Sequence, residues 1–200
     1  MSIQSKQPQN GQKSLSLGVI FLTIFLDLVG FSIIFPLFPS VLEYYGQSGL
    51  LNSLTLFLDE FSAATGAGDR FTPVLFGGIL GSLYAFLQFF FAPIWGSLSD
   101  KKGRRTILLI TTLGVFASYI LWGFAGTFLT LVIARFVGGC MSGNISVATA
   151  AVADITTKEN RSKGMGIVGA AFGLGFILGP ALGGFLSQFN LLESHPEWAR

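Results

Sequence analysis

Gly96-Ser97-Leu98-Ser99-Asp100-Lys101-Lys102-Gly103-Arg104-Arg105 separates two long uncharged runs. Residues 71–99 contain no Asp, Glu, Lys or Arg, and neither do residues 106–134. A spanning helix needs about 20 mostly apolar residues, so each run is long enough to cross a bilayer. A turn this short, with four basic side chains, joins two antiparallel crossings on one side of a membrane.

The composition agrees. Of 200 residues, 51% are hydrophobic and 11% charged, against about 25% charged in soluble domains, and the mean hydropathy is +0.66. The single cysteine, Cys140, excludes an internal disulfide. With His195 as the only histidine, no cluster has metal-ligand spacing, which argues against a metalloenzyme. No metal or organic cofactor is expected.

Outward from the basic turn, the chain divides into five apolar spans. Residues 1–14 are polar and aperiodic and predict a tail. The first span covers 15–40, is interrupted by Asp27, and becomes irregular at Pro36 and Pro39. A cleaved leader is excluded, because the apolar stretch is too long and no alanine precedes Ala63. Residues 41–73 form a long connection containing Glu43, Asp59, Glu60, Asp69 and Arg70. Within it Leu50, Leu54, Phe57, Leu58 and Phe61 recur at helical spacing. That pattern predicts a short amphipathic helix on the membrane surface or against the bundle, and Gly66-Ala67-Gly68-Asp69 reads as a turn. Further spans are expected over 74–97, 106–125, 128–152 and 164–188, with 189–200 as a second tail.

Five crossings sort the basic residues. Lys6, Lys13, Lys101, Lys102, Arg104, Arg105, Lys158, Arg161 and Lys163 fall on one side, and only Arg70 and Arg200 on the other. The positive-inside rule then makes the N-terminus cytoplasmic. Two motif matches are spurious in this setting. Gly164-Met-Gly166-Ile-Val-Gly169 opens a membrane helix with no strand before it, so it is no dinucleotide loop. Asn160-Arg161-Ser162 lies in a loop on the basic side, out of reach of glycosylation.

Two charges interrupt the spans, and both invite function. A lone carboxylate such as Asp27 costs roughly 2.5–3.5 kcal/mol at mid-span on insertion scales, so it should face the bundle or water. A carboxyl there can bind and release a proton; the alternative is a structural hydrogen-bonding role. On the fourth span Arg135, Ser142, Ser146 and Thr149 share one face with Gly139, a polar stripe that suggests a cavity wall. On the second span Gly77, Gly81, Tyr84 and Gln88 form another stripe, in which Gln88 reads equally as structural or functional. The fifth span carries Gly175-x-x-x-Gly179-Pro180-x-x-Gly183-Gly184. Glycines four apart make a flat helix-packing face, and Pro180 should kink the helix.

Together these stretches resemble one family. Gly96-x-Leu98-x-Asp100-x-x-Gly103-Arg104-Arg105 resembles the loop signature of the major facilitator superfamily. Asp27-x-x-Gly30 with Pro36 and Pro39 resembles the first helix of its drug:proton antiporters with twelve transmembrane helices, the tetracycline exporters among them. Leu131-x-x-x-Arg135-x-x-x-Gly139 resembles the fourth-helix motif, although Gly138 stands where glutamine is common. The segment Tyr84 to Gln88 with Ala92-Pro93 looks like the second helix of tetracycline exporters. The glycine–proline run of the fifth span resembles a signature of exporters. The 41–73 connection is much longer than in tetracycline exporters, which puts tetracycline in doubt as a substrate.

The resemblance implies the N-terminal part of a transporter whose two halves rock about a midplane site. Asp27 and Arg135 would couple protons, and Tyr84, Gln88 and Asn144 would touch substrate. Gly96, Asp100, Gly103, Arg104 and Arg105 would form a cytoplasmic gate, with Asp100 and Arg104 locking against a helix of the second half. The small-residue face of Gly175, Gly179, Pro180, Gly183 and Gly184 would await a partner in that half. Expected partners are a small-molecule substrate, protons, the lipid bilayer and the second half, with no nucleic acid and the proton gradient as energy source. The expected location is an inner (plasma) membrane, and the chain is expected to stop before a sixth helix. A metabolite or sugar:proton symporter on the same fold, or a non-transporting membrane scaffold, are the alternatives.

Overall fold

In the computed structural model, residues 15–45, 49–66 and 71–189 are described, and every regular element among them is helical. The expected tail at 1–14, the expected tail at 189–200 except Phe189, and the turn beyond Gly66 lie outside the described residues. So do Lys6, Lys13, Arg70 and Arg200 of the charge count, His195, and the side chain of Leu50.

Five stretches are long and apolar enough to cross a membrane. The first begins at α1 (Leu17–Ser32), where the Ser16 hydroxyl caps the helix by accepting the Val19 N–H at 3.3 Å. Pro36 lacks an N–H, so the chain tightens to a 3-10 turn over Phe35–Leu37 and resumes as α2 (Phe38–Tyr45). The crossing thus reaches Tyr45 rather than 40. The Tyr45 hydroxyl donates to the Ala125 carbonyl and ties this end to the turn that follows the third span.

The amphipathic stretch is α3 (Gly49–Ala64), and it stands against the bundle. Leu58 is buried and Leu54 packs beside it, in a cluster with Tyr45, Phe76, Leu80 and Phe128. Phe57 and Phe61 stay exposed. The Thr72 hydroxyl donates to Asp59 Oδ1 at 2.6 Å, fastening α3 to the start of α4 (Thr72–Lys102).

The second span continues five residues past its expected end at 97, because nothing in Ser97–Lys102 breaks a helix. The break comes at Gly103, whose φ of +93° is one that glycine adopts without a side-chain clash. The ten-residue basic stretch is therefore mostly helix. Its turn is that one residue, after which α5 (Arg104–Gly123) begins. Thr127 then caps the next helix, α6 (Phe128–Met141), its Oγ1 accepting the Thr130 N–H at 3.2 Å.

The fourth span was expected to be continuous over 128–152. It is two helices, α6 (Phe128–Met141) and α7 (Asn144–Ile155), broken at Ser142 and Gly143. The last span is α8 (Arg161–Leu186). Its glycine face already has a partner inside this chain, which corrects the expectation of one in the second half. A Cβ added at Gly175 would lie 2.6 Å from Leu28 Cβ, at Gly179 1.9 Å from Ser32 Oγ, and at Gly183 2.1 Å from the Ile33 carbonyl oxygen. The partner is α1. Ser32 Oγ sits over the seam, 2.7 Å from the Leu28 carbonyl and 3.1 Å from that of Gly175.

Two cores hold the bundle. One, at the basic end, gathers Ile20, Ile24, Leu28, Ile107, Val147 and Ala171 from α1, α5, α7 and α8. The other, at the opposite end, gathers Ile34, Phe38, Phe76, Phe128 and Leu131. Phe89, Ile177 and Val74 lie outward, the arrangement of a surface solvated by hydrocarbon rather than water.

Candidate functional site: a buried carboxyl and a buried guanidinium

Asp27 is 5% exposed and its Oδ1 has no hydrogen-bond partner among the described residues. It lines a cavity of about 270 Å³ with Leu26, Thr112, Phe116, Tyr119 and Asn144, from α1, α5 and α7. Asn144 is itself 1% exposed. Tyr119 crosses α1 at Gly30, where an added Cβ would meet its ring at 2.6 Å, and its hydroxyl lies 3.4 Å from the Asp27 carbonyl oxygen. Gly30 is thus the notch that seats Tyr119 above the carboxyl.

Arg135 is equally buried. Its guanidinium carbon lies 4.7 Å from the centroid of the Trp122 ring and 6.0 Å from that of Tyr84, so aromatic faces cover the cation. Arg135 Nη2 and the Tyr84 hydroxyl have no hydrogen-bond partner among the described residues. Asp27 and Arg135, expected to act together, form no ion pair; the two described ion pairs lie elsewhere. Phe31 packs on the same tyrosine, its ring 5.0 Å from that of Tyr84 and 6.2 Å from that of Phe176.

On the polar stripe of the fourth span the hydroxyls bond within their own helix. Ser142 Oγ donates to the Gly139 carbonyl at 2.7 Å and Thr149 Oγ1 to that of Ile145 at 2.8 Å. Ser146 faces Gly96 of α4, where an added Cβ would lie 3.3 Å from its Oγ. Gln88, a candidate substrate contact, donates its Nε2 to the Ser142 carbonyl at 3.1 Å, and Trp95 Nε1 reaches the Cys140 carbonyl at 2.7 Å.

At the basic end, Arg104 is engaged within the chain. Its Nη2 lies 2.5 Å from Asp100 Oδ1, its Nε 2.8 Å from Asp154 Oδ2, and its Nη1 2.6 Å from Ser99 Oγ. The expected lock against a second half therefore starts from a guanidinium already spent on α4 and α7. Arg105 points away, exposed beside Ser16 and Leu108. Among the described residues no three His, Cys, Asp or Glu side chains come together as a metal site.

Sequence reasoning missed Tyr119, Trp122, Trp95 and the helix break. The break had a signal: Ser142-Gly143-Asn144 is a run of turn-forming residues inside an apolar span. The aromatic residues had none, since indole and phenol look like lipid-facing bulk until their partners are known.

Residues 20–198 match the Major Facilitator Superfamily. The chain is 43% identical over 182 residues to major facilitator superfamily domain-containing protein 10 of Bos taurus, covering 89% of this chain and 40% of that protein. To the class H tetracycline resistance protein of Pasteurella multocida it is 37% identical over 175 residues, 88% of this chain and 38% of that protein. A crystal structure of the human organic anion transporter MFSD10 superposes with a TM-score of 0.78 at 40% identity, covering 88% of this chain and 41% of that one. This chain thus spans well under half the length of these proteins.

Proposed function

The chain belongs to the major facilitator superfamily, a family of multi-pass membrane transporters, and from that premise we propose that the intact protein is a proton-coupled exporter of small amphipathic molecules. The observation that carries this reading is Asp27: a buried carboxyl with a free oxygen, at mid-span, on a cavity shared by three crossings. A fixed structural carboxylate would have its oxygens saturated, because an unpaired polar atom in a span is costly. A free one suits a group that gains and loses a proton. Export rather than import is supported by the glycine–proline run of α8 and by the tetracycline resistance relatives. The basic end, with Lys101, Lys102 and Arg105, is the cytoplasmic side of a plasma membrane. Gly96, Asp100, Gly103 and Arg104 brace α4 and α5 against α7 at that side and form the inner gate.

A second reading concerns the cargo. The free Nη2 of Arg135 and the likeness to the human organic anion transporter favour anionic substrates. Both readings are tested by placing the full-length protein in liposomes with an imposed pH gradient. Tetracycline, cationic dyes and aromatic carboxylates are offered in turn. Uphill movement in the wild type that is absent in Asp27→Asn is expected. An Asp27→Asn protein that still concentrates its substrate would return Asp27 to a structural role.

A further inference from the structure

We propose that α3 is a surface anchor: the side of the helix that carries Phe57 and Phe61 lies in the neutral headgroup interface of the bilayer, at the end of the bundle opposite the basic loops. The proposal stands apart from the transport reading, since it uses neither Asp27 nor Arg135.

At about 100° per residue, the side chains of α3 divide into three sectors. Leu54, Leu58 and Ser62 face the bundle: Leu58 is 2% exposed and Ser62 1%, and Leu54 and Leu58 join the cluster of Phe76 and Phe128. Asp59, Glu60 and Ala63, with Leu56, make up the outward sector. Between these two, Phe57, Phe61 and Ala64 carry the apolar stripe past what the bundle covers, leaving Phe57 61% and Phe61 48% exposed. The stripe is wider than the contact that holds it. A helix that serves only a core turns its apolar stripe into that core, and phenyl rings left in water on the margin forfeit the gain of burial.

Three observations select the bilayer as the surface that covers those rings. The first is position. Residues 46–48 alone separate the end of α2 at Tyr45 from the start of α3, and four peptide steps reach at most about 15 Å. Farther along, Asp59 takes the hydroxyl of Thr72, the first residue of the next crossing. The helix is thus held at the level where two crossings leave the bilayer. The second is continuity. Exposed rings collect at this same end, at Tyr44, Phe71, Phe124, Phe185 and Phe189, whereas around the basic loops, over residues 94–110 and 150–168, no aromatic residue is exposed. A belt drawn from the ends of four helices is wider than the footprint of one protein partner. Phe57 and Phe61 extend it, as aromatic residues do at a membrane interface and as the apolar side of a helix lying in one does. The third is charge. Residues 49–66 hold Asp59 and Glu60 and no Lys or Arg, so anionic headgroups would not attract α3, and apolar contact with a neutral interface is the match.

The test places single cysteines at Phe57, Phe61, Glu60 and Ala63, with Phe89 as a lipid-facing reference, in an otherwise cysteine-free full-length protein. All five positions are exposed, so a nitroxide label there displaces no packed side chain. In phosphatidylcholine liposomes, collisions of each label with oxygen, which concentrates in hydrocarbon, are compared with collisions with a water-soluble nickel chelate. Oxygen is expected to dominate at positions 57 and 61, as at 89, and nickel at 60 and 63. Nickel dominating at 57 and 61 would put the rings in water. Shielding from both would put them under protein, whether a second half or a second copy, and either result overturns the anchor. A second measurement needs no label. Phe57→Ser combined with Phe61→Ser leaves Leu54 and Leu58 in place and should speed hydrogen exchange over residues 49–64 in the liposomes. Unchanged exchange would mean that the bundle alone holds α3, and would overturn the anchor as well.

Discussion

Gly103 has a φ of +93° and a ψ of +136°, a conformation that a residue with a side chain adopts only under strain. On either side of it a helix ends and another begins, and the next residue is the Arg104 that binds Asp100, Asp154 and Ser99. The turn and the ion network therefore fix one geometry by two means of different strength. Asp154 is about half exposed, and pairs of that kind contribute about 0.2–1 kcal/mol. Forcing a Cβ into the turn costs about 1–3 kcal/mol. Thermal unfolding in detergent should accordingly show a larger loss of midpoint for Gly103→Ala than for Asp154→Asn. The reverse order would mean that the ion network, not the backbone, holds this corner.

At the scale of the helix, the same substitution should have opposite signs five residues apart, on two different faces of α8. A methyl at Gly179 meets Ser32 Oγ at 1.9 Å and the Val29 carbonyl oxygen at 2.9 Å, whereas one at Gly184 has nothing within 4 Å. Gly179→Ala must push α8 off α1, which should cost about 1–3 kcal/mol as overpacking does. Gly184→Ala should gain roughly 0.5–1 kcal/mol from the more restricted unfolded chain. Differential scanning of the two variants checks this, and equal effects would deny that the glycine face is a contact surface. The helices themselves, and the two charges inside them, were legible in the sequence because apolar length and an isolated Asp27 or Arg135 are local facts. The helix break was less so, since a hydropathy window averages over Ser142 and Gly143. The pairing of Trp95 with Cys140, 45 residues apart, leaves no local trace. Nor does the seating of Tyr119 on Gly30, because cross-helix partnership follows from how the bundle closes. The glycine face was legible as a face, but which helix fills it was not.

For the whole molecule, sidedness is the first question a measurement should answer. Cysteines introduced at Thr65 and Thr157, with Cys140→Ala, lie at opposite ends of the bundle. In intact cells an impermeant thiol reagent should label the first and spare the second; the opposite result would invert the placing of every basic loop. That bundle is held along one line by α1 and α8, whose contact has notches at Gly175, Gly179 and Gly183, filled in turn by Leu28, Ser32 and Ile33. Notches one helical turn apart behave as a detent. The two helices rest in register, and a partial slide drives side chains into backbone; the next free setting is a full turn, about 5.4 Å, away. Whatever motion this half undergoes, α1 and α8 should travel as a single beam, carrying the carboxyl of Asp27 with them.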